Sequence, residues 1–479
     1  MSALLPQNWI IKRLGEISSN IQYGYTEKAK QEKVGPKFLR ITDIQNDSVD
    51  WSKVPFCEIE ENIKDKYLLG KNDLVFARTG ATVGKSFLIK GAFPTAIFAS
   101  YLIRVRLRPE VEPKYVSYFF RSSDYWRQIS DSQAGIGQPN VNGKKLAQIE
   151  IPLAPFEQQK RIVAEIKKQF SGLDEAGANL KRIKANLKRY KAAVLKAAVE
   201  GKLTEAWRVE AASRRLHSEF NSDLNPDQRQ DAAATFEPAS KLLERILTER
   251  RAKWSGRGKY KEPNDRINAD LPTLPSSWVW VPLDQLFLNI TDGDHQPPPQ
   301  TDSGVPFLVI GNVRSEKLNF ENTRFVSQEY AEAVDTFRKP TRGDILYTLV
   351  GSFGIALQVD TDQEFCIQRH IGILRPHKLS PTSYLVHVLN SSLVFNQAAK
   401  VATGTAQKTV PLAGLRRFAI PLAPLAEQKL IVAEIARRLS IIEELEATVE
   451  ANLTRASRLR QSILGQAFSG KLLMDGTCG

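Results

Sequence analysis

Two stretches of the chain carry apolar residues three, four or seven positions apart, the spacing of a helix that buries one face. Such a helix of about 45 residues is roughly 65 Å long, and neither can bury its apolar face alone. We therefore expect the two helices to pair with each other. The first set is Ile162, Ile166, Phe170, Leu173, Leu180, Ile183, Leu187, Tyr190 and Val194. The second is Ile431, Ile435, Leu439, Ile442, Val449, Leu453, Ala456 and Ile463.

A region with a different pattern precedes each long helix. Short β-rich runs at 37–44, 73–78 and 96–107 are separated by Gly, Pro and Asn residues, which favours an irregular sheet. One helix is predicted at 113–129 and another at 381–399, each opening with a proline near its first turn. Both globular regions are thus predicted to mix strands and helices.

The chain repeats itself. Residues 152–166 and 421–435 are identical at 11 of 15 positions, at an offset of 269 residues. The sequence therefore predicts one structural unit used twice, plus a connector. The same offset relates Trp9 to Trp278, Tyr115 to Tyr384, Ser122 to Ser391, Gln138 to Gln407 and Gly201 to Gly470.

We predict an α+β fold on this basis. Two similar mixed α/β domains are separated by two long helices that form an antiparallel coiled coil, and the whole has pseudo-two-fold symmetry. The predicted segments are a first globular domain at 1–152, a first long helix at 153–203, a linker with an amphipathic helix at 204–270, a second globular domain at 271–421 and a second long helix at 422–472.

Charge points to a polyanionic partner. Lys and Arg number 67 against 53 Asp and Glu, a formal net charge of +14. The densest basic run, at 181–202, could contact DNA, contact a partner subunit or form a solvated helix face. Cys57, Cys366 and Cys478 lie far apart, so no zinc-binding pair is expected and a reducing cytoplasm is favoured. We find no signal peptide or membrane-spanning run, which predicts a soluble cytoplasmic protein.

Repeated motifs carry a family resemblance. A Pro-x-x-P-x-x-E-Q-like element occurs at 152–159 and 421–428, and the long helices close with KAAVEGKL at 196–203 and GQAFSGKL at 465–472. Over nearly the whole chain this arrangement resembles the specificity subunit of type I restriction-modification systems. The resemblance implies two target-recognition domains that read a split site in double-stranded DNA. It also implies no catalysis and no cofactor in this chain, and docking of two methyltransferase (modification) subunits and of restriction/translocase subunits.

Two other classes of function compete with this interpretation. Residues 80–86 look like a phosphate-binding loop but are one residue short, since Thr79 stands where the first glycine is required; a tight turn between two strands accounts for the glycines. The five histidines show no metal-binding spacing, so no catalytic or metal-ligating residue is predicted. The remaining alternative is a coiled-coil scaffold that binds RNA or acidic protein partners.

DNA bases are read by polar side chains on loops that reach the major groove. Four loops in each module are candidates: 22–26, 40–43, 78–80 and 135–142 in the first, and 292–296, 311–314, 347–351 and 403–408 in the second. Residues 366–371 add three polar side chains where the first module has Ala99, Ser100 and Tyr101. The predicted DNA-binding residues are Tyr23, Tyr25, Arg40, Thr42, Asp43, Arg78, Thr79, Ser100, Tyr101, Gln138 and Asn140, and then Asp294, His295, Asn312, Tyr347, Gln368, Arg369, His370, Gln407 and Lys408.

Structural alternatives remain for several of these positions. Tyr23 and Tyr25 could simply pack a turn, and Gln368 to His370 could be the solvated edge of a strand. The linker helix, with Leu242 and Ile246 on its apolar face, could return the chain to the second module or offer a docking surface to a methylating subunit.

Overall fold

The computed structural model describes residues 5–45, 47–132, 140–220, 237–253, 259–263, 265, 267, 271–295, 298–313 and 317–473. Two compact units divide the chain. The first comprises Met1–Ile183 and Thr448–Gly479, and the second comprises Lys184–Ala447. Each unit holds one globular module and a part of both long helices, so the mixed α/β modules and the two long helices predicted from sequence are confirmed.

The first module is built on a four-stranded antiparallel sheet of order β2-β9-β6-β7. Two small pairs flank it, the antiparallel β1-β10 and the parallel β3-β8, and β4-β5 forms a hairpin. The strands are β1 Ile10–Arg13, β2 Ser18–Tyr23, β3 Lys37–Leu39, β4 Ile44–Gln45, β5 Ser48–Val49, β6 Leu74–Ala77, β7 Ser86–Leu88, β8 Ala96–Phe98, β9 Leu102–Leu107 and β10 Glu150–Leu153. The helices are α1 Glu61–Tyr67, α2 Pro113–Phe119, α3 Ser123–Ser132, α4 Gly143–Ala147 and the long α5 Phe156–Val199.

Connector helices α6 Glu205–Phe220 and α7 Ala239–Ala252 follow. The second module repeats the first: a four-stranded sheet of order β12-β18-β15-β16, the pair β11-β19, and a sheet β14-β13-β17 whose β13 and β17 are parallel. Its strands are β11 Val279–Pro282, β12 Phe287–Asp292, β13 Val305–Leu308, β14 Arg324–Val326, β15 Ile345–Thr348, β16 Ala356–Gln358, β17 Cys366–Ile367, β18 Ile371–Pro376 and β19 Ala419–Leu422. Its helices are α8 Leu283–Leu286, α9 Gln328–Ala333, α10 Thr382–Leu389, α11 Ser392–Val401, α12 Leu412–Leu415 and the long α13 Leu425–Phe468.

The long helices pack against each other within each unit. In the first unit, Ile162 and Ile166 near the start of α5 share a core with Leu464 and Phe468 at the end of α13. In the second unit, residues at the end of α5, such as Val194, pack with the start of α13. In both units the start of one long helix packs against the end of the other, which is the antiparallel pairing of the predicted fold. Ile183 and Tyr190 were also predicted on the buried face, but they are 44% and 47% exposed. The prediction was wrong for these two residues, because their apolar spacing does not place them between the helices.

Each of the single helices predicted at 113–129 and 381–399 is in fact two helices, α2 and α3 in the first module and α10 and α11 in the second. A repeated serine marks the break. The hydroxyl of Ser122 donates to the Phe119 carbonyl at 2.7 Å, and that of Ser391 donates to the Val388 carbonyl at 2.6 Å. The same oxygens accept from backbone N–H groups of the next helix. Serine thus ends one helix and caps the next, which corrects the sequence prediction.

Identical side chains fix the start of each long helix. The hydroxyl of Tyr115 donates to the Pro152 carbonyl and that of Tyr384 donates to the Pro421 carbonyl, both at 2.6 Å. Gln159 and Gln428 donate to the carbonyls of Ala154 and Ala423, at 2.8 and 2.7 Å. These bonds hold the strand that leads out of each module at the first turn of its helix.

The glycine just after each long helix is required because a proline of a module lies very close to it. Gly201 and Gly470 have φ values of +72° and +79°, which favour glycine. A Cβ on Gly201 would lie 2.5 Å from Pro275 Cγ, and one on Gly470 would lie 2.2 Å from Pro6 Cγ. The Gly-Lys-Leu signature therefore packs the end of each helix against the proline at the start of a module.

The connector is part of the second unit. Ala239, Leu242 and Ile246 of α7 are 0% exposed and belong to the core of that unit. The Ala239 N–H donates to the Ser277 carbonyl at 2.9 Å. The apolar face of this helix therefore packs inside the chain, not at a docking surface, although the segment boundaries predicted from sequence stay predictions. The polar stretch at 221–234 lies outside the described residues.

A buried carboxylate joins the connector to the second long helix. Glu427 is fully buried and accepts hydrogen bonds from Thr204 Oγ1 at 2.6 Å and from Trp278 Nε1 at 2.8 Å. Arg208 of α6 completes the cluster as an ion pair with Glu427. In the first unit the repeat places Gln158 at this position, where it accepts from Trp9 Nε1 at 3.1 Å. Each tryptophan thus donates to the side chain at the equivalent position of the long helix. That side chain is the neutral Gln158 in the first unit and the carboxylate of Glu427 in the second.

Candidate nucleic-acid interface

Three candidate loops of the first module meet through backbone hydrogen bonds. The Arg78 N–H donates to the Tyr101 carbonyl at 3.0 Å, and the Val141 N–H donates to the Arg78 carbonyl at 3.0 Å. Thr79 and Asn140 also form an antiparallel bridge. The loop after β6, the turn before β9 and the segment before α4 therefore lie side by side.

The second module repeats this frame with other residues. The Leu349 N–H donates to the His370 carbonyl at 2.9 Å, and the Val410 N–H donates to the Leu349 carbonyl at 2.8 Å. The Gly351 N–H also donates to the Lys408 carbonyl at 2.9 Å. Arg78 and Leu349 thus occupy equivalent backbone positions in the two modules, and so do Tyr101 and His370.

The loop after the first strand of each main sheet joins the same region. In the first module the Tyr25 N–H donates to the Phe98 carbonyl at 2.8 Å, and the Ser100 N–H donates to the Tyr25 carbonyl at 2.9 Å. In the second module Asp294 and Gln368 form the equivalent parallel bridge. Asp294 is held further by the Tyr330 hydroxyl, which donates to Oδ2 at 2.8 Å.

The fourth loop of each module is organised by one side chain. Asp43 Oδ2 accepts from the Arg40 N–H at 2.8 Å, and Asn312 Oδ1 accepts from the Val309 N–H at 2.9 Å. Asp43 also pairs with the Arg40 guanidinium at 2.8 Å. The two positions correspond at the offset of the repeat, so Asp43 and Asn312 both close a short 3-10 turn.

Burial separates the predicted residues into groups. Asn312 and Tyr347 are 7% and 0% exposed, and both the oxygen and the nitrogen of the Asn312 side-chain amide are hydrogen-bonded to the backbone. Both residues therefore pack inside the module and do not lie at its surface. Gln138 lies outside the described residues, as do the loop ends Gln296 and Arg314. Exposed are Tyr23, Thr42, Tyr101, Asn140, His295, Arg369, Gln407 and Lys408. Half-buried are Tyr25, Arg40, Asp43, Arg78, Thr79, Ser100, Asp294, Gln368 and His370.

Electrostatics differ between the two modules. In the first, the Arg78 guanidinium lies over the Tyr23 ring, 5.0 Å from its centre. In the second, Asp292 faces His295 Nε2 at 3.2 Å and Arg338 Nη1 at 3.2 Å. Burial, together with the adjacent Arg369, lowers the pKa of His370. Its neutral imidazole can donate from one ring nitrogen and accept at the other, which suits contact with a base edge.

Sequence reasoning missed several residues that shape these loops. A Cβ on Gly24 would lie 2.2 Å from the Ala99 carbonyl oxygen, and one on Gly293 would lie 2.2 Å from the Ile367 carbonyl oxygen. Both glycines occur at the offset of the repeat, which is the signal that could have found them. Arg338 donates to the Gly293 carbonyl at 2.7 Å, but no sequence pattern marked it.

The described residues contain no group of three or more His, Cys, Asp or Glu side chains that could hold a metal ion. The glycines at 80 and 84, which resemble a phosphate-binding loop, have φ values of +79° and +82° and lie in the turn that joins β6 to β7. A tight turn explains them, as the sequence suggested. Within the described part of the chain, no helix is long and apolar enough to span a membrane.

Known proteins share this architecture. The EcoKI specificity subunit of Escherichia coli K12 is 24% identical over 98% of this chain and 90% of its own length. The StySPI specificity subunit of Salmonella potsdam is 25% identical over 98% of this chain and 90% of its own length. One chain of a solved type I R-M system, studied for complex assembly and conformational transition, has a TM-score of 0.62 at 19% identity; the match covers 98% of this chain and 100% of that one.

A family profile described as the type I restriction modification DNA specificity domain matches the chain twice, at residues 6–188 and 281–455. The two matches coincide with the two repeats and together span more than half of the chain. This chain therefore belongs to the family of type I restriction-modification specificity subunits, whose role is DNA recognition and not catalysis.

Proposed function

We propose that this chain reads a bipartite, asymmetric site in double-stranded DNA, one half-site per module, and holds methyltransferase and restriction subunits on that site. The observation that carries the proposal is the repeated loop frame with exchanged side chains. Equivalent backbone hydrogen bonds support Arg78 and Tyr101 in one module, and Leu349 and His370 in the other. Leu349 is buried, but polar side chains such as those of Arg78 and His370 can read base edges, so a common frame with different side chains suits two different half-sites.

The exposed and half-buried loop residues form the proposed interface. Backbone frames fix their positions, while Tyr101, Asn140, Arg369, Gln407 and Lys408 extend into solvent. A coiled-coil scaffold for RNA or acidic proteins has no need of two modules whose loops share a frame and differ in polar identity. DNA reading explains that combination. Two methyltransferase subunits, one for each repeat, remain the expected partners, and the cytoplasm is the expected compartment.

Co-purification with a methyltransferase, followed by methylome sequencing of strains with and without the gene, tests the function. We expect one bipartite adenine-methylated motif to disappear on deletion. If every methylated motif persists, the proposal fails.

A module exchange tests the assignment of half-sites. Replacing residues 1–152 by the equivalent module of a homologue should change one half of the methylated motif and leave the other half unaltered. The matched control is the exchange of residues 271–421, which should change the opposite half. Simultaneous change of both halves in either chimera would contradict one half-site per module.

We also expect the basic run at 181–202 to bind DNA phosphates. Neutralising Lys188, Arg189 and Lys191 should flatten the dependence of log affinity on log salt by about 0.9 for each phosphate that the helix no longer neutralises. Filter binding over a range of salt concentrations measures this slope. An unchanged slope would instead assign the run to a partner subunit or to a solvated helix face.

A further inference from the structure

Other loops of the first module hold both the backbone and the side chain of Arg78. Its N–H donates to the Tyr101 carbonyl and its own carbonyl accepts from the Val141 N–H, each at 3.0 Å. The residue lies directly after β6, between the turn that precedes β9 and the segment that precedes α4. Hydrogen bonds among three loops of the first module therefore fix the position of the Arg78 backbone.

Tyr23 orients the guanidinium. The Arg78 Cζ atom lies 5.0 Å from the centre of the Tyr23 ring, and the Tyr23 hydroxyl accepts from the Gly143 N–H at 2.7 Å. The ring is thus held at both ends, by its own strand and by the first residue of α4. A guanidinium stacked on a fixed ring loses little further freedom when it binds a planar acceptor pair.

One donor of the Arg78 guanidinium is unpaired. Its Nε atom is buried and has no hydrogen-bond partner among the described residues. By contrast, Arg106 in the same sheet is paired with Asp73 at 3.0 Å. A buried donor without a partner costs free energy. Arg78 therefore lacks the partner within the fold that Arg106 has, and because the residue is only half-buried, the rest of its guanidinium can present donors to a ligand.

The geometry points to Arg78 as the residue that reads a guanine in the half-site of the first module. This inference rests on the proposed DNA-recognition function. An arginine fork donating to guanine O6 and N7 is a specific contact in the major groove. Exposed Tyr101 and Asn140 beside it belong to the same loop frame. In the second module the equivalent backbone position is Leu349, 3% exposed, so that half-site is read without an arginine at this place.

The test uses the full chain co-purified with its methyltransferase subunits, and DNA libraries in which either half-site is randomised. Arg78→Ala should remove the preference for guanine at one position of the first half-site, by about ten- to a hundred-fold. Arg78→Lys keeps the positive charge but lacks the planar guanidinium fork. The salt dependence of its DNA affinity should therefore stay the same, while its preference for guanine should be lost. Preferences in the second half-site should not change in either variant.

Arg108→Ala is the matched control, because Arg108 is exposed and follows the end of β9 that lies away from the loops. It removes the same charge from the same module and should leave the preference intact. If Arg78→Ala weakens all sequences equally and lowers the salt slope by about 0.9, the guanidinium contacts a phosphate and the guanine assignment is overturned. Unaltered preferences overturn it as well. A wild-type complex that shows no sequence preference would instead overturn the proposed function itself.

Discussion

Glu427→Ala is expected to destabilise the second unit by about 3–5 kcal/mol, the cost of breaking a buried ion pair by removing one partner. The carboxylate is fully buried and binds Thr204, Trp278 and Arg208. Without it, two donors and a largely buried guanidinium lose their acceptor. Because Arg208 lies on α6, the loss should also loosen the connector from the start of α13.

Hydrogen exchange read by mass spectrometry resolves the two units, so it can locate this effect. We expect faster exchange in α6 and in the first turns of α13, with the first module unchanged. Gln158→Ala is the matched control, since Gln158 holds the equivalent tryptophan with one neutral, partly buried hydrogen bond, for which about 1 kcal/mol is typical. Equal effects of the two variants would show that the charge at 427 adds little.

Sequence predicted the frame well because equal residues at the offset of the repeat make equal contacts. Tyr115 and Tyr384 donate to equivalent proline carbonyls, and Gln159 and Gln428 donate to equivalent alanine carbonyls. The break between α2 and α3 was missed although its serine repeats. Helical periodicity continues across such a break, while the capping bond of Ser122 becomes evident only once the chain has turned.

The candidate site was predicted less completely, because polarity does not reveal burial. Asn312 was selected as a polar loop residue, yet it is buried and bonds the backbone of its own turn. The equivalent Asp43, which is half-buried, also bonds the backbone of its own turn. The amphipathic pattern of α7 was likewise compatible with a docking face or a core face, and only the fold places Leu242 and Ile246 in the core of the second unit. The types of side chain in the sequence were enough to identify the candidate loops. Which residues of those loops are exposed to solvent depends on packing, which the sequence does not show.

Gly24→Ala is expected to abolish recognition by the first module while the rest of the chain stays folded. The new Cβ would lie 2.2 Å from the Ala99 carbonyl oxygen and 2.4 Å from that of Phe98. Both neighbours are backbone atoms, so the loop that carries Tyr23 and Tyr25 must move away from Ser100. Overpacking of this kind costs typically about 1–3 kcal/mol, and the displacement also separates side chains that have to act together on one half-site.

Gly293→Ala provides the symmetric experiment, because its Cβ would lie 2.2 Å from the Ile367 carbonyl oxygen. Gly172→Ala in α5 is the control: nothing lies within 4 Å of its added Cβ, and alanine is favoured over glycine in a helix by about 1 kcal/mol. Binding to libraries with one randomised half-site should show loss of the first preference in Gly24→Ala, of the second in Gly293→Ala, and of neither in Gly172→Ala. Preferences retained in both loop variants would contradict base reading by these loops. Since the two substitutions impose the same clash on the same frame, a different half-site lost in each can only reflect the module in which the loop lies.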